Sequence, residues 1–211
     1  MSARVGYARR MIPATKLLPR VTVERFEGRG RVEHTNPVPH KAGLTAMPRL
    51  DAIWADEVYQ REYRRLEELE QTRVFCRHGI RHLMDTARIM WALNLECGCG
   101  VSHDVVYAAA LLHDIGKATQ YETGEPHELA GARIAADILD RLPRELAFTE
   151  GERGAILTAI QGHRRLRAEA EPLERLLYQA DKASRACFAC PPEVRAACTW
   201  PDAKKNLSIL V

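Results

Sequence analysis

The stretch LLHDIGK, Leu111 to Lys117, decides how the rest of the chain is read. Two leucines put His113 and Asp114 at the end of an apolar helical run, and Gly116 gives that run a stop. The pair is one step in an ordered series of metal-type side chains: His82, His113, Asp114, His127, His163 and Asp181. Five of the six sit among apolar helical residues, where an imidazole or carboxylate without a partner is costly. A metal centre is the simplest compensation for all of them.

Outward from LLHDIGK the periodicity is helical. Asp51 is expected to cap a first helix in which Ile53, Trp54, Val58, Tyr63, Leu66 and Leu69 recur at three-to-four spacing. A second helix is expected from about Thr72 to Leu95, ended by the CGCG glycines, and a third from near Ser102 into His113. The fourth opens at His127 and stops before Pro143. The fifth spans about Glu150 to Gln161 and the sixth about Leu173 to Arg185, delivering Asp181. With neither internal repeat nor low-complexity tract, the body reads as one all-α domain, residues 47–186, followed by a cysteine-containing tail, 187–211, packed on it.

Residues 1–46 read differently, with nine Lys/Arg against three Asp/Glu, four prolines and four glycines, and no sustained periodicity. They are expected to form a loosely ordered basic arm, or an over-extended start with Met47 as initiator; VTVERF, 21–26, is a strand candidate without a partner strand. The remaining residues carry 22 basic against 25 acidic side chains, so a nucleic-acid-binding body is not indicated. No apolar run reaches the length of a membrane helix or a secretory signal, and a cytoplasmic protein is expected.

In the order His82, then His113-Asp114, then Asp181, the chain closely resembles the HD-domain metal-dependent phosphohydrolase superfamily. HLMDTARIM supplies the first histidine, LLHDIGK the paired His113 and Asp114, and LLYQADKASR the closing Asp181. His127 in PHELAGARIAADIL and His163 in AIQGHRR make it resemble the two-metal subgroup. That subgroup includes dinucleoside-tetraphosphate hydrolases, signalling-nucleotide phosphodiesterases and a few di-iron oxygenases. The resemblance implies an HD-domain helical bundle in which His82, His113, Asp114 and Asp181 hold one metal and Asp114, His127 and His163 the other. Asp114 suits the bridge on chemical grounds, because a carboxylate has two oxygens and an imidazole one lone pair for one cation. Two such cations, about 3.5–4 Å apart, clamp attacking and phosphoryl oxygens together. Taken singly, a helical histidine is more often a hydrogen-bonded core residue, so a one-metal site with His127 and His163 merely nearby is the alternative.

Around these ligands, Lys117 is expected to face a transferring phosphoryl group as a catalytic and substrate-binding cation, with Arg164, Arg165 and Arg185 as further anion binders. His78, one helical turn before His82, is expected as a substrate-facing group able to protonate a leaving oxygen. The implied activity is cleavage of a phosphoester or phosphoanhydride in a nucleotide or small phosphorylated metabolite. Two divalent ions are the implied cofactors, and imidazole and carboxylate ligands do not choose among Fe, Mn, Co, Ni and Zn. A di-iron oxygenase on the same ligands and a nucleotide-binding sensor without turnover are the rivals, and a homo-oligomer is left open.

CFACPPEVRAAC places Cys187, Cys190 and Cys198 directly after the last ligand. CxxC with a third cysteine suits zinc or an iron–sulfur cluster, whose fourth ligand Cys76 or a histidine of FCRHGIRH would supply if the tail folds back. Packed thiols are the competing reading, and Cys97 and Cys99 are expected as thiols.

Overall fold

The structure is a computed structural model that describes residues 45–209. The basic arm, apart from Thr45 and Ala46, and the VTVERF strand candidate lie outside the described residues. What is described is all-helical: α1 Pro48–Ala55, α2 Glu57–Leu69, α3 Ile80–Cys97, α4 His103–Leu112, α5 Lys117–Thr123, α6 His127–Asp140, α7 Glu150–Gly162, α8 Pro172–Ala183 and α9 Pro192–Ala197. No helix among the described residues is long and apolar enough to cross a membrane.

Helices α3, α4, α6, α7 and α8 make the bundle. α3 packs on α4 and α8, and α7 packs on α6 and α8. Helix α4 is buried nearly all round, its alanines letting neighbours approach closely, and Val106, Leu112, Ile138, Ile156, Ile160 and Leu177 fill the centre with no solvent exposure. α7 starts on a reciprocal capping box, Thr149 with Glu152, which satisfies backbone N–H groups that the helix itself leaves unpaired.

The expected first helix is in fact two. Asp56 interrupts it, its carboxylate accepting from the N–H groups of Val58 and Tyr59 to cap α2. The expected second helix is also shorter, because residues 70–79 form turns and α3 begins only at Ile80. Glu70 explains this. Its carboxylate accepts the His78 backbone N–H at 2.7 Å, a bond that competes with a helical path through the segment. At the far end of α3, Gly98 adopts the left-handed conformation (φ 61°) that ends helices. This turn brings Cys97 and Cys99 within 5.3 Å between Cα atoms, and they are joined as a disulfide rather than left as thiols. Asn94 holds the same corner by two bonds to the Val101 backbone, at 2.9 and 3.1 Å.

The turn between α4 and α5 is fixed by a close approach. A Cβ on Gly116 would run into the backbone of His127 and Gly131 at the start of α6, whereas a Cβ on Gly131 would make ordinary contacts of 3.4 to 3.6 Å. Gly116→Ala should therefore destabilise the fold by on the order of 2–3 kcal/mol, as overpacking against rigid backbone does. Gly131→Ala should be neutral or stabilising by up to about 1 kcal/mol, the usual gain of alanine over glycine inside a helix. Urea denaturation of the two variants checks the asymmetry, and equal losses would contradict it.

Candidate metal centre

The six side chains of the series lie at helix ends. His82 is in the first turn of α3, and His113 and Asp114 follow α4 in a turn closed by Lys117 N–H donating to the Asp114 carbonyl at 2.9 Å. His127 opens α6, His163 follows α7, and Asp181 lies in the last turn of α8. All four histidines and Asp114 are buried. Their donor atoms form two groups that share Asp114: His82, His113, Asp114 and Asp181 in one, and Asp114, His127 and His163 in the other, each within 4.8 Å throughout.

The Nδ1 atoms decide what the other ring nitrogens offer. His113 Nδ1 donates to the Ala110 carbonyl at 2.7 Å and His163 Nδ1 to the Ile160 carbonyl at 2.6 Å. His127 Nδ1 donates to Gln120 Oε1 at 2.8 Å. Ser184 Oγ gives its proton to the Asp181 carbonyl (2.7 Å), so it accepts from His82 Nδ1 at 2.9 Å. Each neutral ring with its proton on Nδ1 presents a lone pair at Nε2. The Nε2 atoms meet in pairs, His82 with His113 at 3.3 Å and His127 with His163 at 3.0 Å. Two lone pairs at that distance repel unless a cation sits between or beside them.

Asp114 divides its oxygens between the pairs. Oδ2 lies 3.1 Å from His113 Nε2 and 3.4 Å from His82 Nε2, while Oδ1 lies 3.4 Å from His127 Nε2 and 3.8 Å from His163 Nε2. Asp181 Oδ1 completes the first group, 3.4 Å from His82 Nε2 and 3.7 Å from His113 Nε2. Four imidazole lone pairs and two carboxylates are the donor chemistry of a divalent transition metal, so these residues fit one.

Local charge says the same. Burial works against a charge on His113, yet the Asp114 and Asp181 carboxylates override it and lift the group to about 10. Burial raises Asp114, but the charge of His113 and His78 and bonds from His113 and His82 hold it well below the usual carboxylate range. Burial leaves His127 at about 2 and His163 at about 4, both neutral at any ordinary pH. The two carboxylates thus favour positive charge beside them, while the His127 and His163 rings stay neutral.

A cleft of about 360 Å³ opens on Asp114, His127, His163 and Asp181, walled by Lys117, Arg164, Arg165 and Arg185 and also by Arg73, Lys182 and Lys204. Arg164 is shared with Glu128 at 3.1 Å. Arg185 is buried and tied down, its Nη1 donating to the Arg77 carbonyl at 2.8 Å and its Nη2 to His82 Nε2 at 2.9 Å, so it is a wall of the metal centre more than an open anion binder. Burial lowers the Lys117 ammonium below its ordinary value, opposed by Asp114.

His78 lines the cleft but not from a helix, since it precedes the cap of α3. Its Nδ1 lies 2.5 Å from Glu70 Oε1, and Tyr121 donates to the same oxygen at 2.7 Å. Burial raises Glu70, but its bonds from His78 and Tyr121 bring it down to about 2, and burial lowers His78. With Nδ1 engaged by Glu70, the His78 ring lines the cleft with only Nε2 outside that bond. Glu70, Arg73, Gln120, Tyr121, Lys182, Ser184, Trp200 and Lys204 are the surrounding residues that the sequence did not point to.

Residues 79–186 match the HD domain family, and the chain belongs to it, within the metal-dependent phosphohydrolase superfamily. It is 38% identical over 163 residues to an uncharacterized protein of Clostridium beijerinckii, covering 77% of this chain and 99% of that protein. It is also 32% identical over 98 residues to Ribonuclease Y of Chloroflexus aurantiacus, covering 46% of this chain and 16% of that protein. Against Ribonuclease Y of Acidothermus cellulolyticus the identity is 28% over 180 residues, 80% of this chain and 33% of that protein. The chain thus spans a minor part of either ribonuclease. No solved structure matches it.

Because Asp114 belongs to both donor groups and His127 to one, Asp114→Ala should remove more bound metal than His127→Ala. Elemental analysis of the purified variants checks this, and equal losses would count against a shared carboxylate.

Proposed function

We propose that the chain is a dinuclear-metal phosphohydrolase that cleaves a phosphoester or phosphoanhydride in a nucleotide or another small phosphorylated molecule. The observation that carries this reading is the division of the Asp114 oxygens between two histidine pairs. His82, His113, Asp114 and Asp181 would hold one divalent ion, and Asp114, His127 and His163 the other. When bound, such a pair supplies Lewis acidity toward a phosphoryl oxygen and lowers the pKa of water.

The protein's own groups supply the rest. Lys117 and Arg165 give the cleft positive charge facing a phosphoryl group, and Arg164 adds to it through a guanidinium already half engaged by Glu128. The Lys117 ammonium, made more acidic by burial, is suited to release a proton toward the departing oxygen. Glu70 keeps His78 in one orientation and one tautomer, so that its acceptor nitrogen can orient a water or a substrate hydroxyl. A cleft of about 360 Å³ is at the small end of ligand sites, suited to a phosphorylated metabolite or one nucleotide.

A second reading, phosphodiester cleavage in RNA, is favoured by one observation: two relatives carry the name Ribonuclease Y. The cationic wall suits either substrate, and end-on entry of a single strand would present one phosphate at a time. Oxygen chemistry on a di-iron centre has less support, because the wall of lysines and arginines is matched to an anionic group.

The deciding experiment restores each divalent metal to the purified chain and follows release of phosphate or nucleoside monophosphate from nucleotides, with short single-stranded RNA in parallel. Release should proceed equally with and without oxygen. Lys117→Ala should slow it about a hundredfold or more, the usual effect of removing one transition-state charge donor, with metal content unchanged. Oxygen-dependent consumption of an organic substrate would overturn the hydrolase, and tight nucleotide binding with no turnover under any metal would make the chain a sensor.

A further inference from the structure

Four cysteines are free thiols: Cys76, Cys187, Cys190 and Cys198. They come from two distant stretches, the turns between α2 and α3 and the tail after α8, and specific bonds bring those stretches together. Arg185 reaches from the tail side to the Arg77 carbonyl at 2.8 Å, next to Cys76. Asn206, near the end of the tail, donates through Nδ2 to the carbonyls of Lys182 (2.6 Å) and Arg185 (2.8 Å), folding the tail back on the end of α8.

Within that fold-back the cysteines have the local geometry of a metal knuckle. Cys187–Ala189 form one 3-10 turn, closed by Cys190 N–H donating to the Cys187 carbonyl at 3.2 Å, which is the tight turn a CxxC pair needs to reach one cation. Helix α9, Pro192–Ala197, follows, and Cys198 is its C-cap. The Cys190 thiol is pushed up, first by desolvation and then by the Cys76, Cys187 and Cys198 thiols around it. Four thiols in one neighbourhood resist joint ionisation until a cation neutralises them. Among the described residues no three of the sulfurs lie within 4.8 Å of one another, so holding one ion would require these side chains to turn toward it.

We propose that Cys76, Cys187, Cys190 and Cys198 bind one tetrahedral zinc ion that staples the tail to the turns before α3. Four thiolates at about 2.3 Å from a closed-shell ion with no redox chemistry make a closed, structural site. Its position gives it a task. The tail contributes Trp200 and Lys204 to the wall of the cleft, and Cys76 lies two residues before His78 on the opposite strand of the staple. The zinc would hold these cleft residues in place while touching none of the reacting groups.

The test uses the full chain purified without chelators and reads no turnover, so it stands apart from the hydrolase reading. Reaction of the thiols with a mercurial, followed with a coloured zinc chelator, should release one zinc per chain as four thiols react. Cobalt substituted into the same chain should show a thiolate-to-metal absorption band that Cys190→Ser and Cys76→Ser abolish and Asp114→Ala retains, because the HD-site ligands hold no sulfur. The mercurial titration of the unaltered chain decides the matter if a cysteine variant fails to fold. Thiols that react without releasing zinc, or iron with acid-labile sulfide in place of zinc, would overturn the proposal.

Discussion

The structure turns on the confrontation of imidazole lone pairs around Asp114. Each ring is locked by its Nδ1 proton to a different part of the fold: a carbonyl of α4, a carbonyl of α7, the Gln120 side chain on α5 and the Ser184 hydroxyl after α8. The rings therefore cannot turn their lone pairs toward solvent without breaking bonds in four elements. Burying such groups uncompensated costs several kcal/mol. A proton on His113, favoured by the Asp114 and Asp181 carboxylates, offsets part of this. The His127–His163 pair has no such recourse, so a cation bound there would relieve the repulsion and would link affinity for metal to the stability of the bundle.

That arrangement explains why the ligands occupy helix ends. A side chain in mid-helix has its direction fixed by the helix axis, whereas a residue in the first or last turn can be aimed by the connecting turn as well. His113 and Asp114 show the gain. They are consecutive, yet one faces the His82–His163 layer and the other lies between both histidine pairs, which the turn of residues 113–116 allows and a continuous helix does not. The turn in turn depends on the bare Cα of Gly116 against the start of α6, so backbone packing sets the spacing between His113-Asp114 and His127.

How much of this was legible follows from range. The all-α fold and the helices α4, α6, α7 and α8 were readable within a few residues, because their apolar spacing and their stops are local signals. The series from His82 to Asp181, which the fold brings together, was readable from its order. What escaped were interruptions and partners. Asp56 stands inside a good helical pattern and breaks it by using its carboxylate as a cap, and Glu70 does the same to the segment before His78 by taking the His78 N–H. Both residues are unremarkable in sequence, since an acidic side chain on an amphipathic helix is ordinary. Tyr121, Gln120 and Ser184 matter through contacts made across the fold, and no spacing announces those. The Cys97–Cys99 bridge escaped for a different reason: cysteine usage was read by compartment, while the left-handed Gly98 set the local geometry.

The end of α8 couples the two halves of the cleft. Within five residues it provides Asp181 as a donor, Lys182 bound to the His163 carbonyl at 2.9 Å, Ser184 fixing the His82 tautomer, and Arg185 donating to His82 Nε2. A small shift of this segment changes one carboxylate, two imidazoles and a guanidinium together. Arg185 belongs to the same coupling, because its Nη2 donates to the His82 Nε2 lone pair that a metal in the first group would use, while its Nη1 holds the Arg77 carbonyl. The segment is itself held by Asn206, whose Nδ2 donates to the carbonyls of Lys182, Ala183 and Arg185, so these cleft groups share one frame and move together or not at all.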